Sequence, residues 1–219
     1  MRGSDVTESA MKPMSPMVYI VDGDAGIREA LKDLLASAGM RVVPCASARD
    51  YLRAPKPDLP SCVILDVGLP DCSGIDLQRQ LSTEDHPPII FLSGASDIPT
   101  SVRAIKAGAV DFLTKPCRIA DLLAAIEAAI ALDCNGRAER LEGVRLRQRH
   151  GCLTPREREV LPLIVGGLLN KQAAAKLGIS ETTLQIHRSR IMRKMEAESL
   201  AQLVRMAGKL AVPLPHTSH

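Results

Sequence analysis

The sequence predicts an α/β unit built on a five-stranded parallel sheet, (βα)5, followed by an all-α unit of four helices. Three observations predict it. Between Val18 and Leu132, five short apolar runs alternate with helical stretches. Acids, a hydroxyl and a lysine stand where those runs end. After Cys152 the pattern is helical only, and the charge changes sign: net −4 over residues 1–132, +2 over 133–152 and +5 over 153–219. An acidic first part and a basic last part imply a metal or phosphate task followed by a polyanion task.

The elements follow in order. VYIV (18–21) runs into GIREALKDLLASAG, whose apolar residues at 27, 31, 34, 35 and 38 mark one helix face, closing at Gly39. RVVPC precedes a short helix near 47–53. CVILD precedes GIDLQRQL, PIIFL precedes PTSVRAIKAGA, and DFL precedes IADLLAAIEAAIAL. Short continuous apolar strands alternating with helices mean a parallel sheet covered on both faces. Residues 133–152 are polar and arginine-rich, an exposed helix or a flexible linker. In LTPREREVL, Thr154, Pro155 and Glu157 form a capping box with proline at the first helical position. NKQAAAKLG is a second helix ending at Gly178, Ser180 caps a third, ETTLQIHRSRIMRKM, and a fourth starts at Ser199. Helix, glycine-containing turn, helix is the helix-turn-helix arrangement. The expected division is a disordered tail at 1–16, an α/β domain at 17–132, a linker at 133–152, a helical domain at 153–212 and a tail at 213–219.

Composition excludes several classes. The apolar fraction is 46% and the charged fraction 24%, ordinary for a soluble domain. No apolar run approaches the ~20 residues a membrane helix needs. The N-terminal MRGSDVTESAMKPMSPM lacks the apolar core of a secretory signal. Six cysteines without a CxxC pair give no metal-ligand spacing and read as thiols in a reducing cytoplasm. No catalytic histidine or substrate-pocket motif points to an enzyme; His150 and His187 sit in arginine-rich stretches.

In an open parallel α/β sheet, ligands bind beyond the carboxyl ends of the strands. Asp22, Asp66, Ser93 and Lys115 stand at those ends and should converge. Two carboxylates can hold Mg²⁺, a carboxylate can attack phosphorus to give an aspartyl-phosphate, and a lysine and a hydroxyl can bind the phosphoryl oxygens.

VDGDAGIR, LDVGLPDCSG, FLSGAS and AGAVDFLTKP resemble the receiver domain of two-component response regulators, over about residues 17–132. The resemblance implies Asp66 as phosphate acceptor, Asp22 as one of an acid pair, the Gly68 carbonyl as a metal ligand, Ser93 and Lys115 as switch and phosphate-sensing residues, and Phe112 as a rotating aromatic. It implies Mg²⁺ as cofactor and a sensor histidine kinase as partner. The second acid of the pair should stand at position 23, where this chain has Gly. Asp24 is one residue late and is either the cap of the first helix or a rescuing ligand. Weakened Mg²⁺ binding and slow phosphorylation are expected.

LTPREREVL, GLLNKQAAAKLGIS and ETTLQIHRSRIMRKM resemble the LuxR/FixJ-type DNA-binding domain, over about residues 152–212. Leu184, Ile191 and Met195 form an apolar stripe. Glu181, Thr182, Gln185, Arg188 and Ser189 oppose it and would look into the major groove. Lys171, Arg190, Arg193 and Lys194 are placed for phosphates, as is Asn170 at the start of the second helix. Gln185 and Leu169 depart from the family's usual lysine and Ser/Thr, which implies altered site preference. In the fourth helix, Leu200, Leu203, Val204 and Ala207 make a dimer contact, a core contact, or both. The reading is a cytoplasmic transcription factor that binds double-stranded DNA and forms a homodimer on activation, the face near 98–130 pairing receivers. The alternative is an atypical receiver that works without phosphate, as a constitutive DNA binder or a partner-regulated module.

Overall fold

A computed structural model describes residues 15–83, 85–94 and 98–213; most of the tail expected at 1–16, and all but residue 213 of that expected at 213–219, lie outside the described residues. The chain divides into two units, Met1–Arg137 and Ala138–His219, each taken by itself.

In the first unit, five strands, β1 (Met17–Val21), β2 (Arg41–Cys45), β3 (Ser61–Leu65), β4 (Ile89–Ser93) and β5 (Asp111–Thr114), form one parallel sheet in the order β2-β1-β3-β4-β5. Between them run helices α1 (Ala25–Ser37), α2 (Ala48–Arg53), α3 (Gly74–Leu81) and α4 (Ile98–Lys106), and α5 (Ile119–Gly151) follows. Strand side chains alternate between two faces, and each face has its own core. Val18, Ile20, Ile64, Ile90 and Leu92 pack with Leu31 and Leu35 of α1 and Leu122 and Ile126 of α5. Tyr19, Val21, Val63, Leu65 and Phe91 pack with Tyr51 of α2, Leu77 and Leu81 of α3, and Ala104 of α4. Burying both faces explains why β3 and β4 read as unbroken apolar runs. Each such side chain contributes about 1.5–3 kcal/mol of transfer free energy, an upper figure because the unfolded chain already buries part of it.

This strand order has its switch point between β1 and β3, where the connections leave in opposite directions and open a crevice at the carboxyl ends. Asp22 follows β1 and Asp66 follows β3, so both acids stand at that crevice.

The helix at 119 does not end near 132. Asp133, nearly buried, accepts from the Ser61 backbone N–H at 2.9 Å and from Arg137 Nε at 2.7 Å, and Arg137 also pairs with Asp58. Of the two forms expected for residues 133–152, helix is the one observed up to Gly151.

The second unit contains the rest of α5 with α6 (Pro155–Val165), α7 (Asn170–Leu177), α8 (Glu181–Met195) and α9 (Leu200–Lys209). α6 opens with the expected reciprocal cap: Thr154 Oγ1 accepts from the Glu157 N–H, and Glu157 Oε2 accepts from the Thr154 N–H. Gly178, at φ +66°, ends α7 in the left-handed region, which lets the chain turn sharply into α8. The core joins Val160, Leu161 and Ile164 of α6, Ala173 and Ala174 of α7, Leu184, Ile191 and Met195 of α8, Leu203 and Ala207 of α9, and Leu146 of α5. Among the described residues, no helix is long and apolar enough to cross a membrane.

Candidate functional site

The first unit has a cleft of about 480 Å³ at the carboxyl ends of β1, β3, β4 and β5, lined by Asp22, Gly23, Asp24, Asp66, Gly68, Ser93 and Lys115 among others. The four side chains expected to converge therefore line one rim. The Lys115 ammonium donates to Asp22 Oδ2 at 2.6 Å and lies 3.5 Å from Asp66 Oδ1. Lys115 and Pro116 are joined by a cis peptide bond. Ser93, at the end of β4, is buried. Phe112 on β5 stacks against Phe91, ring centroids 5.8 Å apart.

Asp24 acts as a cap. Its Oδ1 accepts from the N–H groups of Gly26 and Ile27 at 2.8 and 3.1 Å, at the start of α1. Asp22 in turn accepts from the Asp24 N–H at 2.8 Å. Gly23 is exposed between them, and a Cβ there would meet Pro70 Cδ at 3.4 Å, an ordinary contact. Nothing steric demands glycine at 23.

The loop after Asp66 is held from several sides. The Gly74 N–H donates to the Val67 carbonyl at 2.8 Å, and Gly68 bridges to Ser73. Asp71 accepts from the backbone of Arg49 and Ala48 at the start of α2. The Arg49 bond leads in holding the Asp71 carboxyl below the ordinary carboxylate range. A Cβ at Gly74 would fall 2.2 Å from the Asp66 carbonyl oxygen, so only glycine permits this approach. Sequence reasoning passed over Gly74, although a glycine opening a helix was the signal. It also passed over Arg28, whose Nη1 donates to the Asp22 carbonyl at 2.6 Å.

The donor set tests the metal. Asp22, Asp66 and the Gly68 carbonyl are hard oxygen ligands, the kind Mg²⁺ takes alongside retained waters. They fit Mg²⁺ in kind, with one carboxylate fewer than the family pattern and with Lys115 already seated on Asp22. No group of three or more acidic, His or Cys residues suited to a metal occurs among the described residues.

The second unit presents α8. Leu184, Ile191 and Met195 are fully buried, which turns the opposite face outward. Glu181, Thr182, Gln185, Ser189, Arg190 and Arg193 are exposed, as is Lys171 on α7. Ile186, 47% exposed and absent from the residues expected on this face, stands in the same outward stripe as Thr182, Ser189 and Arg193. Isolated apolar residues on polar faces are common, so the pattern alone did not single it out.

Two of the expected contact residues have partners within this unit. Arg188 sits on the flank one turn from Leu184, half-buried, and donates to Asn170 Oδ1 at 3.3 Å. Lys194, expected at a phosphate, donates its ammonium to Glu157 Oε2 at 2.7 Å, and Glu157 is only 2% exposed. Burial alone would raise the Glu157 pKa. The Lys194 and Thr154 hydrogen bonds outweigh it and hold the carboxyl below its ordinary range. On α7, Leu169 has no capping side chain, but Gln172 Oε1 accepts from its N–H at 3.0 Å. On α9, Leu203 and Ala207 face the core while Leu200 and Val204 stay outward.

Comparison with known proteins matches these two units separately. The family model for the response regulator receiver domain matches residues 18–127, and that for the bacterial regulatory proteins of the luxR family matches 152–207. Nodulation protein W of Bradyrhizobium diazoefficiens is 44% identical over 96% of this chain and 92% of its own length. Response regulator protein TodT of Pseudomonas putida is 44% identical over 91% of this chain and 88% of its own. A low-resolution structure of response regulator StyR superposes with a TM-score of 0.79 at 43% identity, covering 89% of this chain and 99% of that one.

Proposed function

The chain belongs to the two-component response regulators, as a transcription regulator with a receiver domain and a LuxR-type DNA-binding domain, and on that premise we propose that Asp66 is its phosphorylation site. The domains would run over 17–132 and 153–212, with 133–152 between them. The observation that carries the reading is the Lys115 ammonium bridging Asp22 and Asp66 in one cleft with Ser93. A carboxylate oxygen of Asp66 would attack the phosphorus of a phosphohistidine on a sensor kinase. The P–O bond forms, the P–N bond breaks, and the imidazole nitrogen keeps the electron pair and takes a proton from water. Lys115 and Ser93 would receive the phosphoryl oxygens. Asp22, Asp66 and Gly68 would hold Mg²⁺, which supplies charge neutralisation when bound. Asp24, committed to its cap, would add no ligand, so affinity for the metal would be low.

Drawing Lys115 from Asp22 toward a phosphoryl group changes the β5 end of the sheet, beside Phe112. The two-state logic is a local charge biasing a packed arrangement. The exposed Ile98, Val102 and Ile105 of α4 and Ile119 of α5 supply an apolar face for receiver pairing, and Leu200 and Val204 of α9 a second contact. The homodimer would set two α8 helices on two half-sites of double-stranded DNA. Thr182, Gln185, Ile186 and Ser189 would meet base edges, with Glu181 and Arg188 at the flank. Asn170, Lys171, Arg190 and Arg193 would meet phosphates. A regulator meeting a kinase and DNA would work in the cytoplasm.

A small acyl phosphate with Mg²⁺ should raise both the dimer fraction in sedimentation and the affinity for promoter DNA. Gly23, with Lys115 already on Asp22, favours a second reading, a receiver that acts without phosphate. Under it neither quantity responds to the phosphodonor.

A further inference from the structure

The DNA-binding unit is larger than the helix-turn-helix. Leu146 of α5, 1% exposed, lies in the core of that unit with Leu161, Leu184 and Leu203. Three polar ties fasten the same stretch of helix. Arg149 pairs with Glu196 at the C-terminus of α8, Lys209 of α9 pairs with Glu142, and Arg158 of α6 donates to the Gly151 carbonyl at 2.9 Å. Residues on this part of α5 are therefore carried as one body with α8.

Leu146 points inward, so residues 145 and 147, each about 100° around the helix from it, stand on opposite flanks. Arg145 and Arg147 are both exposed, and neither has a carboxylate partner among the described residues. They differ in surroundings. Arg147 lies back along its own helix: a Cβ at Gly143 would be 3.4 Å from its Nη1. Arg145 lies one turn before Arg149, on the flank that Arg149 turns toward the end of α8. That end also carries the exposed Arg193. Arg149 is neutralised by Glu196, whereas Arg145 on that flank has no carboxylate partner among the described residues.

We propose that Arg145 is a phosphate contact outside the helix-turn-helix, extending the cationic edge of α8 onto the DNA backbone. A guanidinium held beside a groove-reading helix, with its charge unspent, suits phosphate oxygens, and such contacts add affinity and register without sequence information. The inference rests on the DNA-binding reading of α8 and deepens it. A base contact is not expected, because the helix packs by its inward face and approaches DNA only by its side.

The test is a salt titration of the full chain binding a labelled random-sequence duplex, followed by fluorescence anisotropy. The slope of log affinity against log salt counts the phosphates neutralised, about 0.9 per contact. Arg145→Gln is expected to reduce that slope by about 1, Arg145→Lys to keep it, and Arg147→Gln to leave it unchanged. Thermal melting of each variant checks that Leu146 still packs. An unchanged slope in Arg145→Gln, or an equal loss in Arg147→Gln, would overturn the proposal, the latter because it signals net charge alone. Absence of salt-dependent binding by the unaltered chain would overturn the DNA-binding reading and the extension with it.

Discussion

Replacing Gly23 with Asp should strengthen Mg²⁺ binding. The position is exposed, its backbone lies outside the left-handed region, and a Cβ there makes an ordinary 3.4 Å contact with Pro70. A carboxylate at 23 would join Asp22 and Asp66 at the mouth of the cleft. Because the mouth is open, water-like screening is the fair limit. Two unit charges ~4 Å apart are then worth about 1 kcal/mol, so a divalent ion gains about 2 kcal/mol, or roughly 30-fold in affinity. Direct coordination would add to this; competition from Lys115 for the Asp22 oxygen would subtract. The chain has no Trp, so isothermal calorimetry is the suitable assay, with Asp24→Ala as the control. The control should leave metal affinity unchanged and lower the melting temperature through the lost α1 cap, about 1 kcal/mol. If Gly23→Asp binds Mg²⁺ no better than the native chain, the missing acid does not limit the site. If Asp24→Ala abolishes metal binding, Asp24 is a ligand and the capping assignment fails as an account of it.

Gly74→Ala should slow phosphorylation of Asp66 roughly 100-fold, because relieving a 2.2 Å approach moves the acceptor loop by about 1 Å; phosphodonor kinetics beside an unchanged circular dichroism spectrum would check it. Lys194→Met should destabilise the helical unit by about 2–3 kcal/mol, since it leaves the buried Glu157 carboxylate without its cation. Glu157 also fixes a pH dependence. Its folded pKa is depressed, so its contribution is present above the ordinary carboxylate range, near pH ~4.3, and is lost as pH falls through the lower folded value. Melting of the unit should show that acid limb, and Glu157→Gln should flatten it. Gln185→Ala should relax base preference at one position by about 1–3 kcal/mol in selection from a randomised duplex, whereas Arg193→Gln should weaken all sequences alike.

What was legible in the sequence was local or periodic. Five strands followed from apolar runs and the sheet from their alternation with helices. Thr154, Pro155 and Glu157 announced the start of α6, and Gly178 the turn from α7 into α8. Asp24 could be read as a cap because capping spans only two or three residues. What was not legible depends on residues brought together by folding. The pairing of Lys194 with Glu157 joins residues 37 apart in the chain. Asp133 looked like the start of a linker, yet it is buried against the backbone of Ser61, 72 residues earlier. Asn135 and Gly136 are poor helix formers. Asp133 and Arg137 on one side and Leu146 on the other supply the packing that overrides that preference. The tight approach of Gly74 to Asp66 is likewise a fact of backbone geometry.

The central claim is that Asp66 takes a phosphoryl group in a cleft it shares with Asp22, Ser93 and Lys115. Intact-protein mass spectrometry after incubation with Mg²⁺ and a small acyl phosphate tests it most directly. The account predicts a slow gain of one phosphoryl mass that disappears in Asp66→Asn. A native chain that gains nothing at saturating Mg²⁺, or an Asp66→Asn chain that gains as much as the native one, would contradict it.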